Sequence, residues 1–507
     1  MRAQIEGVDF AVDEHIWGHR LYDEQLPHLT VLEFLGVLGS NADSPLVIPQ
    51  DGRVRYRPQR QIRLRGLLFN NPYVESVRER PIPDEDKWTA WKDLFALDAT
   101  GIGDGDMDYL RRAFLSFDDF AKAIELLRSS AFEARSNKRW SSKFVFPFGP
   151  DALYEDLRVA SGTASNDRRF FGRTGELLYL MLCRAGRGAE LGEKLIGRLF
   201  DASASMNRLV RALQGEVQLA EARDTGYLPP GANARFERMA DDWLAILARD
   251  MPIYDALEHL ITNAGLNLLL YFLERAKAQA GDAEPVEMVC EIVSRERTKV
   301  RALSGDSYQV NQSLSVRAVR SAVEQIRLSE DWAKAAETDD PDGERMRLMK
   351  AWFQWPPSDP DDDEPDYEKM SGDELVQKLA DKAESRHEQH FGKIHSAWAR
   401  SIGLSSRRLS RRTRYAPNDR LLKTLVVSIV EDRMQFDEFL HEVRARYGIV
   451  IGDAEGAHLV RAKLVDQEAL SENRGNLETR LVGLGLVRRL SDSCSFVENP
   501  FANKGEA

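Results

Sequence analysis

Cysteine is scarce: Cys183, Cys290 and Cys494 stand far apart in a chain of 507 residues. They provide neither a disulfide framework nor a C-x-x-C zinc knuckle, and no thiol is grouped with a histidine as a nucleophile would be. A reducing cytoplasm suits such a chain. Long apolar runs are also missing, because the most apolar uncharged stretch, "HLITNAGLNLLLYFL" at 259–273, is shorter than the roughly 20 residues of a spanning helix and holds Asn263 and Asn267. No membrane partner is expected. The opening "MRAQIEGVDF" lacks the apolar core of a secretory signal. No G-x-x-x-x-G-K-[ST] run occurs, which excludes a P-loop ATPase, and no G-x-S-x-G elbow is found. "TGIGDGD" at 100–106 is rich in glycine but has no strand before it and no lysine after it, so it reads as a loop. No cofactor is implied. Positive charge is not in excess either: the net charge of -12 opposes bulk attraction to phosphate polymers, so any nucleic-acid contact must come from local basic patches.

What is present is an ordinary globular composition, with 43% hydrophobic and 30% charged residues, and a length that suits about three domains. The fold class expected is mainly α, a multidomain helical protein with a small mixed N-terminal region and a C-terminal winged-helix-like domain. Residues 1–105 read as a mixed α/β domain, since "PLVIPQDGRVRYRP" has the form of a hairpin turning at Asp51-Gly52. Residues 106–335 read as helical. Met107, Leu110, Phe114, Phe117, Ala121, Ile124 and Leu127 form one stripe, and further helical patterns cover Gly175 to Phe200, Phe236 to Arg249, Tyr254 to Gln279, Val286 to Leu303 and Leu314 to Leu328. No fixed-period repeat is seen. Residues 336–370, with "TDDPDGE" and "PPSDPDDDEPDYE", read as an acidic linker too poor in apolar surface to offset its ordering entropy.

Residues 371–415 comprise a helical run and a basic segment. Ser371 and Glu374 have capping-box spacing ahead of Leu375, Leu379, Ile394, Trp398 and Ile402. From 416 to 507 the order is helix, helix, short strand, helices and hairpin. Phe436, Phe439, Leu440, Val443 and Tyr447 share a face that Gly448 ends, "IVI" is the strand, and Leu477, Leu481 and Leu484 mark a helix beginning near Asn476. That order is the one a winged helix requires.

"DEHIWGHRLYDE" places His15 and His19 four apart among carboxylates, the spacing of two metal ligands on one helix face. Ile16 occupies the place of the glutamate in H-E-x-x-H, and Ile16, Trp17 and Leu21 favour a packed amphipathic segment over a metal centre. His387, His390 and His395 cannot converge on a continuous helix without a break at Gly392. "PDEDK" and "PDYEK" look like the PD-(D/E)xK nuclease pattern, but no strand carries their acids, and the long acidic run reads as a solvated spacer.

The strongest positive feature is arginine. Arg53, Arg55, Arg57, Arg60, Arg63 and Arg65 cluster without an intervening acid, and Arg407, Arg408, Arg411, Arg412 and Arg414 form a second cluster before the final domain. Smaller patches are "NKRWSSKF" and "RRFFGR". Guanidinium groups bind phosphate bidentately, whereas the alternative is pairing with this chain's many carboxylates. A DNA-reading winged helix would add Arg474 and Arg480 on its helix face, with Arg488 and Arg489 toward the wing.

The run from "RRTRYAPNDRLLKTLV" through "FDEFLHEVRARYGIVIG" to "LGLVRRLSDSCSFVENPF" resembles the C-terminal part of large bacterial proteins encoded in anti-phage defence clusters. The resemblance covers less than a quarter of the chain and carries no catalytic motif. What it implies is a component of a bacterial multiprotein complex. The expected function is a non-enzymatic nucleic-acid-binding or adaptor subunit, with other subunits and DNA or RNA as partners. The alternatives are a purely protein-binding scaffold and, further off, a metal-dependent hydrolase or nuclease.

Overall fold

The N-terminal helix α1 (Ala11–Trp17) stops at Gly18, whose left-handed backbone (φ 93) lets its N–H bond the Glu14 carbonyl. His19 follows the helix end and shares no helical face with His15. The spacing of a metal pair is therefore not realised. The computed structural model describes residues 7–19, 21–22, 25–43, 45–46, 53–56, 67–68, 71–98, 107–129, 157–160, 163–166, 174–214, 223–228, 231, 233–294, 298–355, 366–408, 411–491 and 494–502. The protein is mainly helical. Among these residues no helix is long and apolar enough to cross a membrane, and no three His, Cys, Asp or Glu residues group as metal ligands.

Two compact units make up the chain: residues 1–27, 184–187 and 226–507 form the first, and 28–183 with 188–225 form the second. This division does not follow five consecutive segments. Residues 1–27 join the C-terminal part because α1 docks there. The Trp17 indole donates to the Phe272 carbonyl at 3.2 Å, Arg275 donates to the Ile16 carbonyl at 2.9 Å, and Trp17 stacks on Phe391 with centroids 3.7 Å apart.

In the first unit, α2 (Ala234–Leu247) packs on α3 (Ile253–Gln279), the long apolar run, which is buried around most of its circumference. Its two asparagines are accommodated by a buried carboxylate: Asn263 and Asn267 donate to Asp242 at 3.0 and 3.2 Å, and the Tyr447 hydroxyl donates to the same oxygen at 2.8 Å. Burial raises the Asp242 carboxyl above its ordinary value, and these hydrogen bonds partly counter it.

The stretch expected as helix from Val286 to Leu303 is extended at its start. Met288–Val289 (β1) pairs in parallel with the distant strand Ile449–Val450, and the helix α4 (Arg301–Arg327) begins only after it. Beta-branched residues satisfied by a distant partner override the local helical period. The acidic stretch also departs from expectation, since Pro341–Phe353 is a helix (α5). Asp340 caps it by accepting from Gly343 N at 3.1 Å, and Met349, Trp352 and Phe353 bury its inner side. Residues 356–365 lie outside the described residues.

The capping box at Ser371 and Glu374 is present and starts α6 (Gly372–Arg386). A π-turn, His387–Phe391, joins it to α7 (Gly392–Ser401), so the histidine-bearing run is one helix with a bulge. A short hairpin follows, Ser405–Ser406 (β2) paired with Arg414–Tyr415 (β3). Then come α8 (Asp419–Ile429), Arg433–Gln435 (β4), α9 (Phe436–Tyr447), Ile449–Val450 (β5, the partner of β1), α10 (Gln467–Gly483), Val487–Ser491 (β6) and Cys494–Glu498 (β7). The face of α9 is buried as the pattern implied, and Gly448 caps it at φ 66. Helix α10 starts nine residues before Asn476. Strands β6, β7 and β4 form an antiparallel sheet in that order, with Val487 opposite Val497 and Val497 opposite Met434.

The second unit centres on aromatic packing of Trp88, Trp91, Phe95, Phe117 and Phe120. The single helix expected from 107 to 127 is two, Asp108–Ala113 and Phe117–Ser129, because Ser116 caps the second by accepting from Asp119 N at 3.1 Å. The acids of "PDEDK" occupy the first turn of Asp84–Asp98, where Asp84 accepts from Phe117 N and from the Trp88 indole. They serve the helix start. Arg53 and Arg55 lie in the strand Arg53–Tyr56, whose sheet partner is the strand beginning at Arg223. The other half of the expected hairpin lies outside the described residues.

Four imidazoles in the first unit are largely sealed from water: burial lowers His15, His259, His387 and His395 from 6.5 to about 4. The unfolded chain takes up these protons near pH 6.5 and the folded chain only near 4, so stability is lost as pH falls through that interval. Asp13, raised by burial from 3.8 to about 7, acts in the opposite sense, as do Asp242 and Glu455, whose carboxyls burial also raises. The thermal midpoint is expected to fall steadily from pH 6.5 to pH 4, and His395→Gln to flatten the decline; a midpoint that rises on acidification would refute this account.

Candidate nucleic-acid interface

The second arginine cluster is divided by burial. Arg414 is 1% exposed, and its Nε donates to the carboxylate of Glu291, which is itself fully buried. Glu291 also accepts from Arg301 at 2.9 Å and from the Thr298 hydroxyl at 2.7 Å. Burial pushes the Glu291 carboxyl up, and the donors from Arg414, Thr298 and Arg301 outweigh it, leaving it below the ordinary carboxylate value. Arg414 thus faces inward and cannot meet a phosphate. Its Nη1 donates to the Arg408 carbonyl at 3.1 Å and so anchors the loop that β2 and β3 support.

On that loop Arg407, Arg408, Arg411 and Arg412 are exposed. Arg412 lies 3.8 Å from Asp306, a pair so open to solvent that it contributes little. Among the described residues, the guanidinium groups of Arg407, Arg408 and Arg411 have no carboxylate in ion-pair reach. Residues 403–418 contain five arginines and no acid.

The loop borders an open groove of about 800 Å³. Ser405, Ser406 and Arg408 of the hairpin form one wall, and Asn476, Thr479 and Arg480 of α10 form the other. Val293 and Ser294 continue from β1, and Ala416, Pro417 and Asn418 lead into α8, where Asn418 caps the helix by accepting from Leu421 N at 3.0 Å. Among the described residues no acid lines the groove.

Both walls are fixed by one extended segment. Its consecutive amides donate to five different acceptors: Met288 to the Gly448 carbonyl, Val289 to the Ser307 hydroxyl, Cys290 to the Val450 carbonyl, Glu291 to the Tyr415 carbonyl and Ile292 to Asn473 Oδ1. Asn473 returns the contact by donating to the carbonyls of Cys290 at 2.9 Å and Ile451 at 3.0 Å. Hairpin and α10 are thereby tied to the same five residues.

The remaining expected residues are distributed as follows. Arg480 donates to Asp419 at 2.7 Å and to the Pro417 carbonyl at 3.2 Å, so its charge is partly met within the chain. Arg474 pairs with Asp437 and Arg489 with Glu478. Arg488 is exposed on the outer sheet face opposite Phe496. The exposed positions of α10, among them Glu468, Ser471, Glu472, Thr479 and Val482, include no lysine or arginine. An acidic or neutral outer stripe does not suit a helix inserted between phosphate rows. Arg57, Arg60, Arg63 and Arg65, "NKRWSSKF", "RRFFGR" and "TGIGDGD" lie outside the described residues. His387 bonds the Ser315 hydroxyl at 2.8 Å, His395 the Tyr415 hydroxyl at 2.7 Å, and His390 meets the Tyr22 ring edge-on. The three histidines serve three different partners. The neutral groove residues were not picked out from sequence; only Asn418, in the cap signal "PND", had a readable local mark.

Fold and site together define a mainly helical chain whose C-terminal part carries a basic hairpin beside a polar groove. Residues 366–497, about a quarter of the chain, match the family model described as methylation-associated defense system protein MAD7. The match includes the hairpin and α10, and it agrees with the resemblance to defence-cluster proteins. No curated protein and no solved structure matches the chain.

Two substitutions test the construction. Glu291→Ala leaves the buried Arg414 without a counter-charge and is expected to destabilise the first unit by about 3–5 kcal/mol in urea unfolding. Asn473→Ala orphans buried backbone groups and is expected to cost about 1–3 kcal/mol. A change in the range of surface substitutions for both would mean that the segment does not hold the walls together.

Proposed function

We propose that this chain is a nucleic-acid-contacting or adaptor subunit of a bacterial multiprotein defence complex, acting by binding and not by catalysis. The observation that carries this reading is the exposed set Arg407, Arg408 and Arg411, which among the described residues have no carboxylate in ion-pair reach, in a chain of net charge -12. Such a patch concentrates field where phosphate would meet it. The family match to a defence-system protein supports membership in a larger assembly.

We also read residues 416–507 as a winged-helix-like domain. Its support is the order helix, strand, helix, strand, two helices and terminal hairpin, with β4 added to the outer edge of that hairpin. In this reading the phosphate contacts come from the arginine loop, not from α10. A second reading, a purely protein-binding scaffold, is favoured by the pairing of Arg474, Arg480 and Arg489 with acids of the same domain.

Titrating labelled DNA and RNA across a salt series separates the two. Reversal of Arg407, Arg408, Arg411 and Arg412 to glutamate should weaken binding and lower the logarithmic salt slope by about three, at roughly 0.7–0.9 for each phosphate no longer neutralised. Unchanged affinity and slope would remove the loop from the interface. No binding by the unaltered chain at low salt would leave the scaffold reading.

A further inference from the structure

We infer that the groove between the arginine hairpin and α10 holds single-stranded nucleic acid by its backbone, without preference for base. This rests on the nucleic-acid reading above and names the form of polymer that the site takes. Shape argues first. Duplex DNA is read by convex elements that enter its grooves, whereas a concave trough receives a strand. At about 800 Å³ the groove has the size of a site for a small ligand or a few linked units, typically about 300–1,000 Å³.

Charge argues next. Arg408 on the hairpin wall has its guanidinium unpaired among the described residues, while Arg480 on the opposite wall is paired with Asp419. A second cavity, of about 560 Å³, is also lined by cations, but each is paired: Arg235 with Glu274, Lys277 with Asp282, Arg444 with Glu287 and Arg446 with Glu442. That cavity is neutralised from within. Among the described residues no acid lines the groove, and the unmet charge of Arg408 favours an anionic chain there.

The rest of the lining argues for backbone over base. Ser405, Ser406, Asn476 and Thr479 both donate and accept, as suits sugar and phosphate oxygens, and among the described residues no aromatic side chain lines the groove as a stacking platform. Arg407, Arg411 and Arg412 continue the positive surface along the same hairpin.

The test uses the full chain with a labelled oligothymidylate, an oligoadenylate of equal length and a duplex of that length. Thr479 is exposed on α10, so Thr479→Trp fills the trough and Thr479→Glu adds an anion to it, with circular dichroism reporting that each variant folds. The unaltered chain is expected to bind both single strands with affinities within about threefold of each other, and the duplex about tenfold more weakly. Both variants should lower single-strand affinity about tenfold and change duplex affinity less than about twofold. Folded variants that keep their single-strand affinity, or preference for duplex by the unaltered chain, would overturn this inference while leaving the nucleic-acid reading intact. Binding of none of the three polymers would overturn that reading and this one with it.

Discussion

The extended segment from Met288 to Ile292 is the constraint on which the first unit depends. Five successive amides donate to five separate partners, drawn from α4, the turn after α9, β5, β3 and α10. A buried amide without an acceptor is costly, so none of these partners can move without leaving a backbone group unmet. The Glu291 side chain adds a second requirement at the same place, because its carboxylate is buried and Arg414, Arg301 and Thr298 must all reach it. Hairpin, groove and α10 have their relation through these five residues.

This constraint also decides how the charge is used. Of the five arginines between 407 and 414, one is drawn inward by Glu291 and holds the Arg408 backbone, and the others are turned out. On α10 the opposite holds: Arg474 and Arg480 are turned sideways onto Asp437 and Asp419, and the outer stripe keeps no positive charge. The basic surface therefore belongs to the hairpin and the groove beside it. The exposed arginines thus lie in the segment that precedes α8 and not on α10.

The parts of the fold that were legible are those whose signals are local. Phe436, Phe439, Leu440, Val443 and Tyr447 repeat with helical period and are buried along α9, while Gly448 ends the helix because only its backbone takes φ 66 without strain. Ser371 and Glu374 are three apart and form the capping box. Other segments misled for equally physical reasons. Val286 to Leu303 has apolar residues at helical spacing, yet its first part is claimed by a strand partner at Ile449–Val450. Pro341 to Phe353 lies within a stretch that is acidic overall, but three large apolar side chains at its end have somewhere to pack. His15 and His19 have a helical spacing in a stretch where Gly18 stops the helix.

By itself the sequence determined the helical character, the elements around α9, the absence of nucleotide-binding and serine-hydrolase motifs, and the presence of arginine clusters, because periodicity, capping and composition act over a few residues. Only the tertiary structure decided which arginine is buried and which are offered to a partner, that Asn476 and Thr479 share a groove with Ser405 and Ser406, and that one short extended segment ties them together. Those outcomes depend on which buried carboxylate or carbonyl is left without a donor once the chain has folded, and residues far apart in the sequence settle that between them.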